Sequence, residues 1–215
     1  MQSLTSRSSR NGFTLIELLT VIAIIGILAG IIIPTTGAVR TAAKKAQVKS
    51  MFSQWSNAFT LYKQEYGYYP AVGTDGTKNL VSTTDDTIEF VRTFTGKNID
   101  GTAVTLVSYL NGNKRRQAFF SFGAAELPST NLLTDAFDNT QFGILTDVTG
   151  DGVIKNGASE DGVPPAVVAA NGGASFTPTT GSATADIPTD GVRAGVIFYT
   201  AGKDGSTGGA VMSWK

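Results

Sequence analysis

The stretch that decides the architecture is Gly12 to Pro34, GFTLIELLTVIAIIGILAGIIIP. From Phe13 to Ile33 it runs for 21 residues with a single charge, Glu17. As a helix rising about 1.5 Å per residue, that run is about 32 Å long, the thickness of one bilayer core. Upstream, MQSLTSRSSRNG carries Arg7 and Arg10 and no acid. Arginines ahead of an apolar segment hold the short end in the cytoplasm, so the rest of the chain is expected outside. A cleaved secretory signal would have a shorter apolar run, about 7–15 residues, ending in a small-x-small site. The run here is longer, and Pro34-Thr35-Thr36 is a poor match to such a site. A plain signal anchor explains everything except Glu17.

A carboxylate at the centre of a bilayer costs about 2.5–3.5 kcal/mol on insertion scales, and less near a segment end. No Lys, Arg or His between Phe13 and Ile33 can pair with Glu17. Two readings follow. Glu17 snorkels to the headgroups and does nothing further, or a cut between Gly12 and Phe13 creates an α-amine four residues away. In the second case the amine of a neighbouring copy neutralises Glu17 in an apolar filament core. Cutting there removes 12 of the 215 residues and two of the 17 basic side chains, leaving 203 residues with 15 basic against 17 acidic groups.

Beyond Pro34 the pattern turns amphipathic. Val48, Phe52, Trp55, Phe59, Tyr62 and Tyr66 recur every three or four positions, with Arg40, Lys44, Lys45, Lys49, Gln54 and Lys63 largely between them. The spacing predicts one helix from about Phe13 to Tyr66, its distal half laid on a globular head. Gly67-Tyr68-Tyr69-Pro70 ends it, because proline biases Tyr69 out of the helical region and glycine offers a left-handed terminus. The whole is expected to be α+β: 1–12 a leader, 13–34 the membrane or filament-core helix, 35–66 the stalk, and 67–215 a head with a small antiparallel sheet.

In the head, 71–83 reads as loop and Asp85–Phe94 as a short helix. Residues 102–110 fit a strand or a short helix. Lys114-Arg115-Arg116 is either a solvated turn or an acidic-patch contact between copies. Gln117–Phe122 suits a strand or packing under the stalk, and 142–146 and 192–200 are the clearest strands. The Gly/Ala/Thr/Pro tract 155–190 lacks periodicity and is expected to be a mobile or inter-copy loop.

Composition narrows the chemistry. Seventeen basic against 17 acidic side chains leave no basic excess for nucleic acid. With no His and no Cys there are no disulfides, thiolates, imidazole bases or His/Cys metal sites. No acidic pair has a spacing suited to catalysis, so no enzyme is expected. Asp147-Val148-Thr149-Gly150-Asp151-Gly152 places oxygen donors at positions one, three and five with glycine at six, like half a calcium loop. Asp147, Thr149 and Asp151, with Asp161, could hold a hard cation; a polar hairpin turn is the competing reading.

Gly12-Phe13-Thr14-Leu15-Ile16-Glu17, with the apolar run and Pro34, resembles the class III signal of type IV pilins and type II secretion pseudopilins. The resemblance implies a pilin-like fold, cleavage after Gly12 by prepilin peptidase and methylation of the Phe13 amine. It implies that Glu17 aligns an incoming copy, and that Gly26, Gly30 and Pro34 lie where the helix melts in filaments. The helix ending at Gly67-Tyr68-Tyr69-Pro70 is also similar to that of pseudopilins.

Asp135-Ala136-Phe137-Asp138-Asn139 resembles the Asp-Pro-Trp-Gly-Asn turn of major pseudopilins, with Ala, Phe and Asp in place of Pro, Trp and Gly. Tyr199–Gly205 with Trp214 resembles their closing loop, which implies a calcium role for Asp204; the further acids that loop uses are missing downstream here.

The implied partners are further copies in a helical filament, other pseudopilins or pilins, the peptidase and an inner-membrane assembly platform, with no nucleic acid required. The implied location is the bacterial inner membrane, with the head in the periplasm, then a periplasmic or surface filament. A pseudopilus subunit of type II secretion is the leading reading and a type IV pilin the alternative in the same class. The lack of the disulfide that closes many major pilins weighs against the second. A membrane-anchored binding module, using the 155–190 tract, is the alternative from a different class.

Overall fold

The computed structural model describes residues 12–72, 79–104, 112–128, 131–157, 161–170, 172–180 and 185–215, with only the backbone of Pro34 and Thr35. The leader arginines and most of the ambiguous 102–110 stretch lie outside the described residues. The elements run α1 (Leu15–Tyr66), β1 (Leu80–Val81), α2 (Thr84–Thr95), β2 (Phe142–Thr146), β3 (Val167–Val168), β4 (Ser175–Phe176), β5 (Val196–Thr200) and β6 (Val211–Met212). The architecture is α+β, a long N-terminal helix with a small antiparallel sheet, as the sequence pattern requires. Contacts divide the chain into two compact units, one ending at Ala42 and one from Ala43 to Lys215.

In the first unit the apolar side chains of α1 have no cover. From Phe13 to Ile33 the large ones are 48% to 81% exposed. By length and composition this helix can cross a membrane.

In the second unit the same helix is half-buried along one face. Val48, Phe52, Trp55, Phe59 and Tyr62 are at most 1% exposed. They pack on a four-stranded antiparallel sheet of order β1-β2-β5-β6, and on α2. Phe52 stacks on Phe198 at 5.6 Å, Trp55 meets Phe142 edge-on at 5.2 Å, and Phe59 lies 4.7 Å from Phe94. Each such pair contributes about 0.5–1.5 kcal/mol beyond its buried area. Register follows from the central pair of strands, where Gly143 faces Tyr199 and Ile144 faces Phe198. A side chain at Gly143 would collide with the Tyr199 ring, so glycine is what lets that ring lie flat across β2.

Local signals explain the ends of the helices. Gly67 takes φ 83° and its N–H donates to the Lys63 carbonyl at 2.8 Å, closing α1 where expected. α2 starts with a capping box: Thr83 Oγ1 accepts from Asp86 N, and Asp86 Oδ2 accepts from Thr83 N, both at 3.1 Å.

Several segments refine the sequence reading: the stretch 71–83, read as loop, contains the short strand β1, and the strand expected over 192–200 narrows to β5 at Val196–Thr200. Residues 118–122 form no strand; Phe119 and Phe120 donate their N–H groups to the Phe94 carbonyl, and Phe119, Phe120 and Phe122 cover the core beneath the stalk. Lys114-Arg115-Arg116 is an exposed turn in which Arg115 pairs with Glu65 of the stalk. The 155–190 tract is not one unstructured loop. It contains the β3–β4 hairpin, with Val167 paired to Phe176, and it buries Val167, Ala169, Phe176 and Ile187. Those side chains complete two smaller clusters with Tyr199, Met212, Leu145, Ile197 and Trp214.

Candidate functional site

Two places carry the chemistry singled out in the sequence: the start of α1 and the polar turns of the head. At the first, Phe13 is 77% exposed and Thr14 opens the helix. Glu17 Oε2 accepts the Thr14 N–H at 2.8 Å and the Thr14 hydroxyl at 2.6 Å. In return, Glu17 N donates to Thr14 Oγ1 at 3.3 Å. This reciprocal Thr-x-x-Glu capping box satisfies orphan donors at the helix start and fixes the carboxylate on the N–H of the Phe13–Thr14 peptide. The sequence contains this Thr-x-x-Glu signature, but the reading above used Glu17 only as an acid seeking a partner. Farther along, α1 continues through Pro34, which lacks an N–H and so leaves the Gly30 carbonyl without its usual helical donor.

In the head, Asp135 accepts four hydrogen bonds. Its Oδ1 accepts from Phe137 N at 2.7 Å and Asn139 N at 2.9 Å, and its Oδ2 accepts from Asn139 Nδ2 and Thr200 Oγ1. Asn139 then donates to the Gly202 carbonyl at 2.7 Å and accepts from Ala170 N at 2.8 Å. The turn therefore clamps β5, its following loop and the end of the β3 segment together. Asp138 stands at φ 67°, a left-handed position that Asp tolerates where the resembling motif has glycine. Burial pushes the Asp135 carboxyl above its ordinary range, against the pull of the Asn139, Phe137 and Thr200 hydrogen bonds.

The residues considered for a cation do not gather in one place. The Thr149 hydroxyl lies 3.3 Å from Asp147 Oδ1 and 3.5 Å from Asp161 Oδ1. Asp147 receives the N–H groups of Gly150 and Gly152, while Asp161 receives those of Val148, Thr149 and Lys155. Both buried carboxylates thus brace the loop through backbone donors. Asp151 turns outward to the Val153 N–H and the Lys155 ammonium, and these hold its carboxyl below the usual range. Asp204 belongs to a different loop, where the hydroxyl and N–H of Ser206 lower its carboxyl likewise. Among the described residues no group of three or more acidic side chains is arranged to hold a metal ion.

The chain's end is also anchored. The Trp214 indole donates to the Asp186 carbonyl at 2.8 Å and Lys215 pairs with the Asp186 carboxylate. Burial opposes ionisation of Asp186, but Lys215 and Thr179 outweigh it and the carboxyl sits below its usual range.

Comparison with known proteins agrees with the N-terminal reading. Residues 7–33 match the family described as the prokaryotic N-terminal methylation motif. The chain is 35% identical over 72 residues to the type II secretion system core protein G of Escherichia coli K12, covering 34% of this chain and 49% of that protein. It is 36% identical over 64 residues to the core protein G of Klebsiella michiganensis, covering 30% of this chain and 45% of the relative. The chain thus spans about half the length of the curated relatives it matches. No solved structure matches. The resemblance is to the pilin and pseudopilin superfamily as a whole.

Proposed function

We propose that this protein is a structural subunit of a periplasmic pseudopilus that drives type II protein secretion. In this reading prepilin peptidase cuts after Gly12 and the new Phe13 amine is methylated. The observation that carries it is the lone carboxylate of Glu17, set by Thr14 four residues from the future amine and surrounded by exposed apolar side chains. In an isolated chain the capping box satisfies that carboxylate; in a filament the amine of an adjacent copy supplies the charge that Thr14 cannot. Residues 13–34 form the filament core in this account, with Pro34 and the glycines marking where the helix yields. Residues 35–66 form the stalk and 67–215 the head. Filament copies, other pseudopilins, the peptidase and an inner-membrane assembly platform are its partners.

Deleting the gene in the native host and measuring surface filaments and the secreted proteome from the same cultures tests the assignment. Lost secretion with surface pili intact is the expected result. Lost pili with secretion intact would make the chain a type IV pilin instead.

A further inference from the structure

Between Lys49 and Lys63 the exposed face of the stalk carries no charge: Ser50, Ser53, Gln54, Asn57, Thr60 and Leu61. A surface helix ordinarily puts charged groups there, and depletion of charge is what the centre of a protein interface has. A groove flanks this face on each side. One, of about 480 Å³, lies against Gln47, Ser50 and Gln54 and holds three acids, Glu126, Asp135 and Asp138, with no basic residue in its lining. The other, of about 520 Å³, lies against Ser53, Ser56 and Asn57, and Arg193 is the sole charged residue lining it. At about 100° of turn per residue, these two sets of stalk residues point to opposite flanks of the uncharged face. Neither Arg193 nor Asp138 has an ion pair among the described residues.

We infer that the Arg193 groove of one copy docks laterally on the Glu126/Asp138 groove of the next, across the uncharged stalk face. Because the two halves of this contact are different patches, it is a head-to-tail interface, and repeating it without closure generates an open helical filament. The register fits. The helix residues lining the two grooves are centred between four and five residues apart, about 7 Å along the stalk. Pairing Glu17 with the amine of Phe13 in another copy asks for a step of four residues, about 6 Å. The inference rests on the filament reading proposed above and adds which faces of the head meet.

The chain has no cysteine, so introduced pairs report only the designed contact. Ala125 and Ala194 line the two grooves, and replacing both with cysteine leaves every charge in place. In full-length protein expressed in the native host, Ala125→Cys/Ala194→Cys is expected to give a ladder of disulfide-linked multimers on mild oxidation. Leu18→Cys/Ile22→Cys, one helical turn apart, reports the filament core independently. Adding Arg193→Glu is expected to cut the head ladder at least tenfold while Arg193→Lys keeps it, with the protease resistance of the head unchanged in both. A core ladder without a head ladder overturns this interface and leaves the filament reading standing. A head ladder insensitive to Arg193→Glu overturns the charge pairing that defines the interface. No ladder from either pair removes the filament reading and this interface with it.

Discussion

One helix, α1, shows two ways of handling apolar side chains. Around Ile22, Ile25 and Leu28 they point in every direction and stay exposed, whereas from Val48 to Tyr62 they share one face and vanish beneath the sheet and α2. The second half is satisfied inside its own chain. The first is left exposed among the described residues and suits an apolar surrounding, in our proposal first a bilayer and then other copies. A charge therefore means different things in the two halves. Lys45 and Lys49 reach the Gly208 and Lys215 carbonyls and serve the fold of the head, whereas among the described residues the Glu17 carboxylate is bonded by its capping threonine.

The contrast breaks most visibly at Glu17. Glu17→Ala is expected to lower filament yield at least tenfold, measured by shearing and sedimentation, and to leave the unfolding of the head unchanged because Glu17 belongs to the other compact unit. Retained filaments would remove the distinction between the two halves. Trp55→Ala is the mirror experiment. It empties the centre of the aromatic cluster and is expected to destabilise the head by about 3–5 kcal/mol in denaturant titration, without affecting membrane insertion.

Next comes the clamp. Asp135→Ala leaves the buried donors of Asn139 and Phe137 without their acceptor and is expected to cost about 1–3 kcal/mol. Acid titration sharpens this further. The folded state raises the Asp135 carboxyl above its unfolded value of about 3.9, so its ionised form opposes folding at neutral pH. That penalty fades as pH falls through the raised value, and wild type should gain stability relative to Asp135→Asn on acidification. Asp186, whose carboxyl is lowered, behaves oppositely: its contribution is present above the unfolded value and is lost as pH falls through the lower folded one. Thermal melts of wild type and the two Asn variants from pH 7 to pH 3 should therefore diverge in opposite directions. The smallest effect is Arg115→Ala, which removes an exposed pair to Glu65 and should change stability by at most about 1 kcal/mol.

Much of this was legible in the sequence, and the parts that were not share a cause. Periodicity marks α1, α2 and the central strand β2 because each is long enough to repeat its pattern. It misses β1, β3, β4 and β6, which are two residues long, and the buried Val167, Phe176 and Ile187, whose spacing follows loop geometry. The Asp135 turn was visible through its family resemblance, but the bonds from Asn139 to Gly202 and Ala170 join residues 63 and 31 positions apart, and local pattern cannot express that. The cation reading of Asp147, Thr149 and Asp151 depended on donor spacing alone. The fold turns Asp147 and Asp161 onto backbone N–H groups and sends Asp151 to Lys155.

The central claim is that Gly12–Phe13 is a processing site whose product begins one turn before Glu17. Intact mass of the protein extracted from native membranes tests it most directly. The account predicts a chain beginning at a methylated Phe13. An uncut form beginning at Met1, in cells with active prepilin peptidase, would contradict it.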